Sequence, residues 1–367
     1  MATAYRNFDL LVERRATGYR ARVQDSPAGE AVVNFDLPFT ADELRSFSWL
    51  SSRVSQGLGL ASSAGRAPPP LDLRQFGERL FNAAFARDVG ACLLLSLAEV
   101  RKTDVGLRIR LRLDPDVPEL AELPWEYLYA PQLDGFLALS DRVALVRYVQ
   151  QLQPPPTLTA TPPLVLLVLA PQPNNVPRLK IEEEWNSLQR ALAGLQGQGW
   201  LRVERLPAPT PEALLDRLRG DGVHLLHFMG HGYFDAGTQT GGVVLEDAAG
   251  RAAFVPAAQL GTIVCDHESL RLVFLNACEG ARGDGDNAFA GVAQQLVIQG
   301  VPAVLAMQFP VSDTASLTLT QKFYEALASG EALDAALTWA RKAVSLVGPA
   351  ERPPAEWGTP VLFSRSP

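Results

Sequence analysis

The chain reads as an α/β protein whose larger, C-terminal part is a mostly parallel central sheet flanked by helices, preceded by a smaller α+β region. Three observations predict this. After residue 163, strand-like apolar runs alternate with helical periods, the order that a parallel sheet requires. The residues before 150 follow another pattern, opening on an alternating hairpin and continuing through helices to a strand. Between the two lies QQLQPPPTLTATPPL, where Pro154, Pro155, Pro156, Pro162 and Pro163 forbid both a helix interior and a central strand. The expected organisation is an N-terminal α+β region over 1–153, a linker over 154–163 and a C-terminal domain over 164–367.

In the first region, FDLLVERR and YRARVQDS alternate as a hairpin does. FTADELRSFSWLSSRV, over 39–54, and LRQFGERLFNAAF have helical periods, SSAGRAPPP is a surface loop, and LRIRLRL is a strand. Arg108, Arg110 and Arg112 alternate along that strand, which places them on a solvated face or, as the alternative, in a groove for an acidic partner.

In the second region PLVLLVLA is the first strand, followed by a helix from Lys180 with Ile181, Trp185, Leu188, Leu192 and Leu195 on one face. WLRVERL is a strand; Thr210 then caps and Pro211 opens a short helix that Gly220 ends. VHLLHFM stops at Gly230, RLVFLNA stops at Cys278, and VPAVLAM completes the set of buried strands. GGVVLED and GRAAFVP flank a hairpin turn over 247–250. SLTLTQKFYEALASG and LDAALTWARKAVSLV are helices that cover the sheet, and PVLF is the last strand.

Composition narrows the function classes. With 367 residues, 47% of them hydrophobic, the chain can bury a full core and is long enough for two domains. Its net charge of −7 and lack of a long Lys/Arg run argue against a nucleic-acid partner. Asp9, Glu13, Arg14 and Arg15 interrupt the apolar core that a secretory leader needs. The longest strongly apolar stretch, Leu164 to Ala170, falls far below the roughly 20 residues of a membrane helix. Cys92, Cys265 and Cys278 are too few and scattered for a disulfide framework. A cytoplasmic protein with no membrane partner is expected.

Two residues stand at strand ends where an open sheet gathers its chemistry. His231 follows the strand in HFMGHGYF, and Cys278 follows the strand in LVFLNACEG. Their separation, 278 − 231 = 47 positions, is close to the roughly 50 between the histidine and the x-A-C-x-G cysteine of caspase-type peptidases. A free thiol, with a pKa of about 8.5, is mostly protonated at neutral pH, and a neighbouring imidazole shifts that balance. Cys278 is thus the expected nucleophile and His231 the general acid/base. The backbone N–H groups of Gly232 and Cys278 are the candidate oxyanion hole. An acidic first pocket would use Asp247, Glu279 or Asp313, each of which also reads as solvated loop charge, whereas a neutral pocket would be lined by Met307 and Gln308.

His224, His227 and His231 have spacings that could line a helix and hold zinc. The surrounding VHLLHFMG reads as a strand, which puts His224 and His227 on opposite faces as core or edge residues. Cys265 and His267 decorate a loop, and neither a metal nor a cofactor is expected. No G-x-x-x-x-G-K-[ST] loop or G-x-G-x-x-G turn follows a strand, so nucleotide binding is disfavoured.

Together HFMGHG, VVLED, LVFLNACEG, AFAGVAQQLVIQGVPAVLAMQFPVSDTAS and the closing helices resemble the CHAT family of bacterial caspase-like peptidases. LPWEYLYAPQLDGFLALSDRVALVRYV, FDLLVERR and YRARVQDSPAGEA are similar to the segments that precede the catalytic half there. The resemblance implies a caspase-haemoglobinase-like sandwich related to caspases and separases, with the His/Cys dyad on His231 and Cys278. It also implies a protein substrate, such as a gasdermin or a regulator, in bacterial defence or cell-death signalling. Asn276 stands where basic-specific relatives of the caspases carry Asp. Only ARGDGDN, over 281–287, separates the nucleophile motif from the next helix, too short for an excisable linker, so a single-chain enzyme ordered by a partner, a ligand or substrate is expected. The alternative is a catalytically silent caspase-like module that docks within a signalling complex.

Overall fold

Strands form where the apolar runs lie, and capping residues set where the helices between them begin. The computed structural model describes residues 4–40, 43–44, 72–114, 117–149, 161–220, 222–235, 237–238, 240–265, 267–277, 288–309, 311–347 and 355–365. The expected helix over 39–54 and the proline-rich stretches lie mostly outside them. Two compact units are present: 1–148 with 330–359, and 149–329 with 360–367.

In the first unit β1 (Tyr5–Arg14) and β2 (Tyr19–Asp25) form the expected antiparallel hairpin, and β3 (Ala31–Phe35) adds to it. Helix α1 (Leu73–Ala84) starts at Asp72, whose carboxylate accepts the Arg74 N–H at 2.9 Å. Then come α2 (Arg87–Lys102), β4 (Gly106–Leu113), the short α3 (Pro118–Glu122), the small pair β5 (Tyr129–Ala130) and β6 (Gly135–Phe136), and β7 (Val143–Tyr148). The sheet order is β3-β2-β1-β4-β7, with β4 parallel to both β1 and β7.

The arginines of β4 depart from the expected solvated face. Arg110 makes two 2.5 Å bonds to Asp9, Arg108 pairs with Asp334, and Arg112 donates to Gln24. Neighbouring elements supply the counter-charges, so the alternation marks internal pairing. Deeper still, Arg147 is paired with Glu126 at 2.9 Å, both almost fully buried, and also donates to the Ala121 and Leu123 carbonyls.

The second unit carries β8 (Leu164–Leu169), α4 (Ile181–Gly197), β9 (Leu201–Arg205), α5 (Pro211–Arg219) and β10 (Leu225–Gly230). A three-stranded excursion follows: β11 (Gly232–Asp235), β12 (Thr240–Glu246) and β13 (Ala252–Pro256). The chain continues through α6 (Ala257–Val264), β14 (Leu272–Ala277), α7 (Ala288–Ile298), β15 (Ala303–Met307) and α8 (Asp313–Ala328). Helix α9 (Leu333–Ser345) belongs to the first unit, and β16 (Pro360–Ser364) returns to the second. The main sheet runs β16-β15-β14-β10-β8-β9, every pair parallel except β15 with β16.

Both faces of this sheet are covered, which is why its strands are continuous apolar runs with no alternation. On one face Leu167, Phe228, Val273 and Val304 pack with Leu214 of α5, Leu260 of α6, and Val292 and Leu296 of α7. On the other, His227 and Phe274 meet Phe323 and Tyr324 of α8. The expected mostly parallel sheet flanked by helices is the architecture found. Among the described residues no single helix is long and apolar enough to cross a membrane; α1 and α2 reach that length only together, across a 105° bend.

Candidate active site

Parallel pairing brings the carboxyl ends of β10 and β14 side by side, in register from Leu225 with Leu272 to Gly230 with Ala277. The residue after Gly230 is His231. The residue after Ala277 is Cys278, which with Glu279 lies outside the described residues.

His231 Nε2 is 2.8 Å from the Pro177 carbonyl oxygen. A carbonyl only accepts, so Nε2 carries the proton, and in the neutral ring Nδ1 is left as the basic nitrogen. Pro177 was not anticipated from sequence. It sits in the loop between β8 and α4, and that loop is clasped to the β12–β13 hairpin. Gln172 N–H donates to Glu246 at 2.7 Å, Asn174 N–H to the Gly250 carbonyl at 2.9 Å, and Ala252 N–H to the Asn175 side chain at 2.7 Å. The only sequence signal for this is a run of Asn and Pro in PQPNNVP, the composition of an ordered turn.

Gly232 opens β11. The Val244 N–H donates to the His231 carbonyl at 2.9 Å, so Gly232 opposite Val243 is a non-hydrogen-bonded pair whose N–H points away from β12. A Cβ on Gly232 would lie 2.6 Å from the Phe289 ring, so this position must stay bare for α7 to pack.

The remaining candidates occupy three different places. Asn276, second to last in β14, is buried; its Nδ2 donates to Glu184 at 2.8 Å and to Ser316 Oγ at 2.9 Å. Glu184 and Ser316, from the first turns of α4 and α8, are further residues the sequence reading missed. Met307 ends β15 one step past Ala306, the partner of Leu275, which brings it level with Asn276; Met307 and Gln308 are both buried. Asp313 is exposed at the start of α8. Asp247 closes the β12–β13 turn. Its carboxylate accepts the Arg251 and Ala249 N–H groups and pairs with the Arg251 guanidinium, which together hold it below the usual carboxylate range. Asn276 and Met307 are thus brought together, while Asp247 and Asp313 belong to other loops.

The other histidines have local partners, as expected. His224 Nδ1 accepts the Val165 N–H at 3.0 Å, and His227 Nδ1 is 3.1 Å from the Tyr324 hydroxyl in the core. His267 Nε2 bonds the Ile263 carbonyl at 2.9 Å in the loop after α6.

A family model for the CHAT domain matches residues 74–364, and the chain belongs to that family. This membership supports a protease-type function. No curated protein sequence matches the chain. Among solved structures, the Saccharomyces cerevisiae separase–securin complex is similar over 75% of this chain at 15% identity with a TM-score of 0.37, and the chain spans only 17% of that partner's length. The Arg-specific cysteine proteinase gingipain R of Porphyromonas gingivalis matches at 12% identity, covering 88% of this chain and 75% of its own, with a TM-score of 0.44. Caspase-1 from Spodoptera frugiperda matches at 13% identity, covering 59% of this chain and 92% of its own, with a TM-score of 0.35.

Proposed function

We propose that the chain is a cysteine endopeptidase with Cys278 as nucleophile and His231 as general acid/base. The observation that carries this reading is the pairing of Gly230 with Ala277 at adjacent strand ends. One covalent step beyond each partner lies a candidate residue.

In the proposed reaction the Cys278 thiol gives its proton to His231 Nδ1, and the thiolate attacks the scissile carbonyl carbon, forming a C–S bond. The developing oxyanion takes hydrogen bonds from the Gly232 and Cys278 N–H groups. As the C–N bond breaks, Nδ1–H protonates the departing amine. Water, deprotonated by the same nitrogen, then attacks the thioester carbon; as the C–S bond breaks, Nδ1 returns the proton to the Cys278 sulfur and the carboxylic acid product leaves. Throughout, Nε2–H stays on the Pro177 carbonyl, which holds the ring in place. The acyl-side pocket is assigned to the neutral group at the β14 and β15 ends, Asn276, Met307 and Gln308. Asp247 is engaged by its own turn.

The substrate is a specific protein, with a gasdermin or a regulator acting beside the protease in bacterial defence as the leading class and the cytoplasm as its location. An activating partner or ligand orders the loops. The test is to co-express the wild type, Cys278→Ala and His231→Ala with proteins encoded beside it and to sequence new amino termini. Cleavage by the wild type and a loss of about 10³-fold or more in both variants is expected. Equal cleavage by wild type and Cys278→Ala rejects the assignment.

A further inference from the structure

The β11–β12–β13 sheet has one face in the core and one outside it. Val243, Leu245 and Val255 belong to the core. The alternate residues of the same strands point the other way. The outer face begins at His231, since the hydrogen bond from Val244 N–H to His231 C=O extends the β11–β12 register by one pair. Val244 in turn pairs with Phe254. His231, Val244 and Phe254 therefore form one row across the strands. Tyr233, Gly242 and Pro256 form the next row.

Two aromatic rings are held on this face without being buried by it. Phe254 is 59% exposed. The Tyr233 ring meets it edge-on, with centroids 5.2 Å apart at 88°. Gly242 is what lets the tyrosine lie across the sheet: a Cβ there would stand 2.5 Å from the Tyr233 ring and 2.3 Å from the Val255 carbonyl oxygen. A glycine is thus kept inside a strand, where it weakens the strand, to support a ring that remains in part accessible. Val244, between His231 and Phe254, is itself buried, so the accessible part of the row beyond His231 is the apolar, rigidly held ring pair at its far end.

We propose that Tyr233 and Phe254 form a subsite for a large apolar side chain of the substrate, on the leaving-amine side of the cleaved bond. The proposal rests on the peptidase reading and deepens it. The histidine that protonates the amine must lie against the departing segment, so that segment leaves on the His231 side of the site and runs toward Phe254, the exposed end of that row. Two strand spacings separate His231 from Phe254, about 10 Å, and an extended peptide advances about 3.3 Å per residue. The ring therefore meets the second or third residue after the bond. Aromatic and branched side chains fit it best, because edge-to-face stacking adds to simple burial. The acyl side is read elsewhere, at the ends of β14 and β15.

The test uses the full chain and a proteome-derived peptide library, with sequencing of the new amino termini. Wild type, Phe254→Ser, Phe254→Trp and Cys278→Ala are compared after thermal unfolding has confirmed that each is folded. Wild type is expected to favour Phe, Tyr, Leu or Ile over Gly at the second or third residue after the cut by about tenfold or more. Phe254→Ser is expected to lose that preference, and Phe254→Trp to keep it. Cys278-dependent cleavage that shows no such preference, or that keeps it in Phe254→Ser, overturns the subsite and leaves the peptidase reading intact. Wild-type cleavage no greater than that of Cys278→Ala removes the peptidase reading and the subsite with it.

Discussion

Replacing His227 by Phe should make the protein less stable near neutral pH yet less sensitive to acid. The ring is fully buried between Phe274 and Tyr324, its Nδ1 is 3.1 Å from the Tyr324 hydroxyl, and its Nε2 has no partner among the described residues. Among the described residues no carboxylate offsets this burial, which pushes its pKa down from 6.5 to about 3. Between those values the unfolded chain holds one more proton than the folded one, so stability rises with pH and is lost as pH falls below 6.5. Each pH unit inside that window is worth about 1.4 kcal/mol, which gives a loss of about 2 kcal/mol at pH 5 and about 2.7 at pH 4.5. His227→Phe gives up the bond to Tyr324, and the stranded hydroxyl costs about 1–3 kcal/mol at every pH, but it has no ring to titrate. Urea unfolding of both proteins at pH 7.5, 5.5 and 4.5 isolates this residue, because all other acid-sensitive groups are common to both and cancel. The stability difference should move by about 2.7 kcal/mol in the variant's favour between the extremes. A difference constant within about 0.5 kcal/mol would mean that His227 does not stay buried and neutral, and the packing of α8 on the sheet would need revision.

Three other perturbations have defined outcomes. Arg147→Met removes the guanidinium that pairs with buried Glu126 and donates to the Ala121 and Leu123 carbonyls and should cost about 3–5 kcal/mol; adding Glu126→Gln, which takes away the buried charge, should recover part of this in thermal unfolding. Gly242→Ala forces a Cβ against the Val255 carbonyl and the Tyr233 ring, and denaturant titration should show a loss of about 1–3 kcal/mol. Asn175→Ala removes the 2.7 Å bond to Ala252 N–H and loosens the loop that presents Pro177 to His231. Stability should fall by only about 1 kcal/mol, while kcat drops about tenfold with little change in KM; an unchanged kcat would show that the loop's other bonds suffice to hold the histidine.

The extent to which these features were legible depended on the range of the interactions that create them. Buried strands announce themselves because both faces need apolar residues, and Thr210 and Pro211 mark their helix start because capping is local: Thr210 Oγ1 accepts the Ala213 N–H at 3.1 Å. Helix α2 went unseen because CLLLSLAEV is nearly all apolar and offers no clear period. Strand β11 was hidden because it is only four residues long and begins directly after His231. The association of α9 with the first unit has no local signal at all, since it is made by contacts such as Arg108 with Asp334, 226 positions away in sequence.

The candidate site divides along the same line, and the division has a consequence for mechanism. His231 could be found because glycines and a strand end surround it in sequence. The Pro177 carbonyl could not, since it lies 54 positions earlier, and a backbone oxygen leaves no residue-type signature. Yet that oxygen decides which imidazole nitrogen is basic. The proton-transfer geometry is therefore set by the shape of the 171–180 loop, and that shape is fixed by Glu246, Asn175 and the backbone of the hairpin that also carries Phe254. A ligand or partner that shifts the β12–β13 hairpin would change the orientation of His231 and the apolar face beside it in a single movement, so catalytic competence and leaving-side selectivity should rise and fall together.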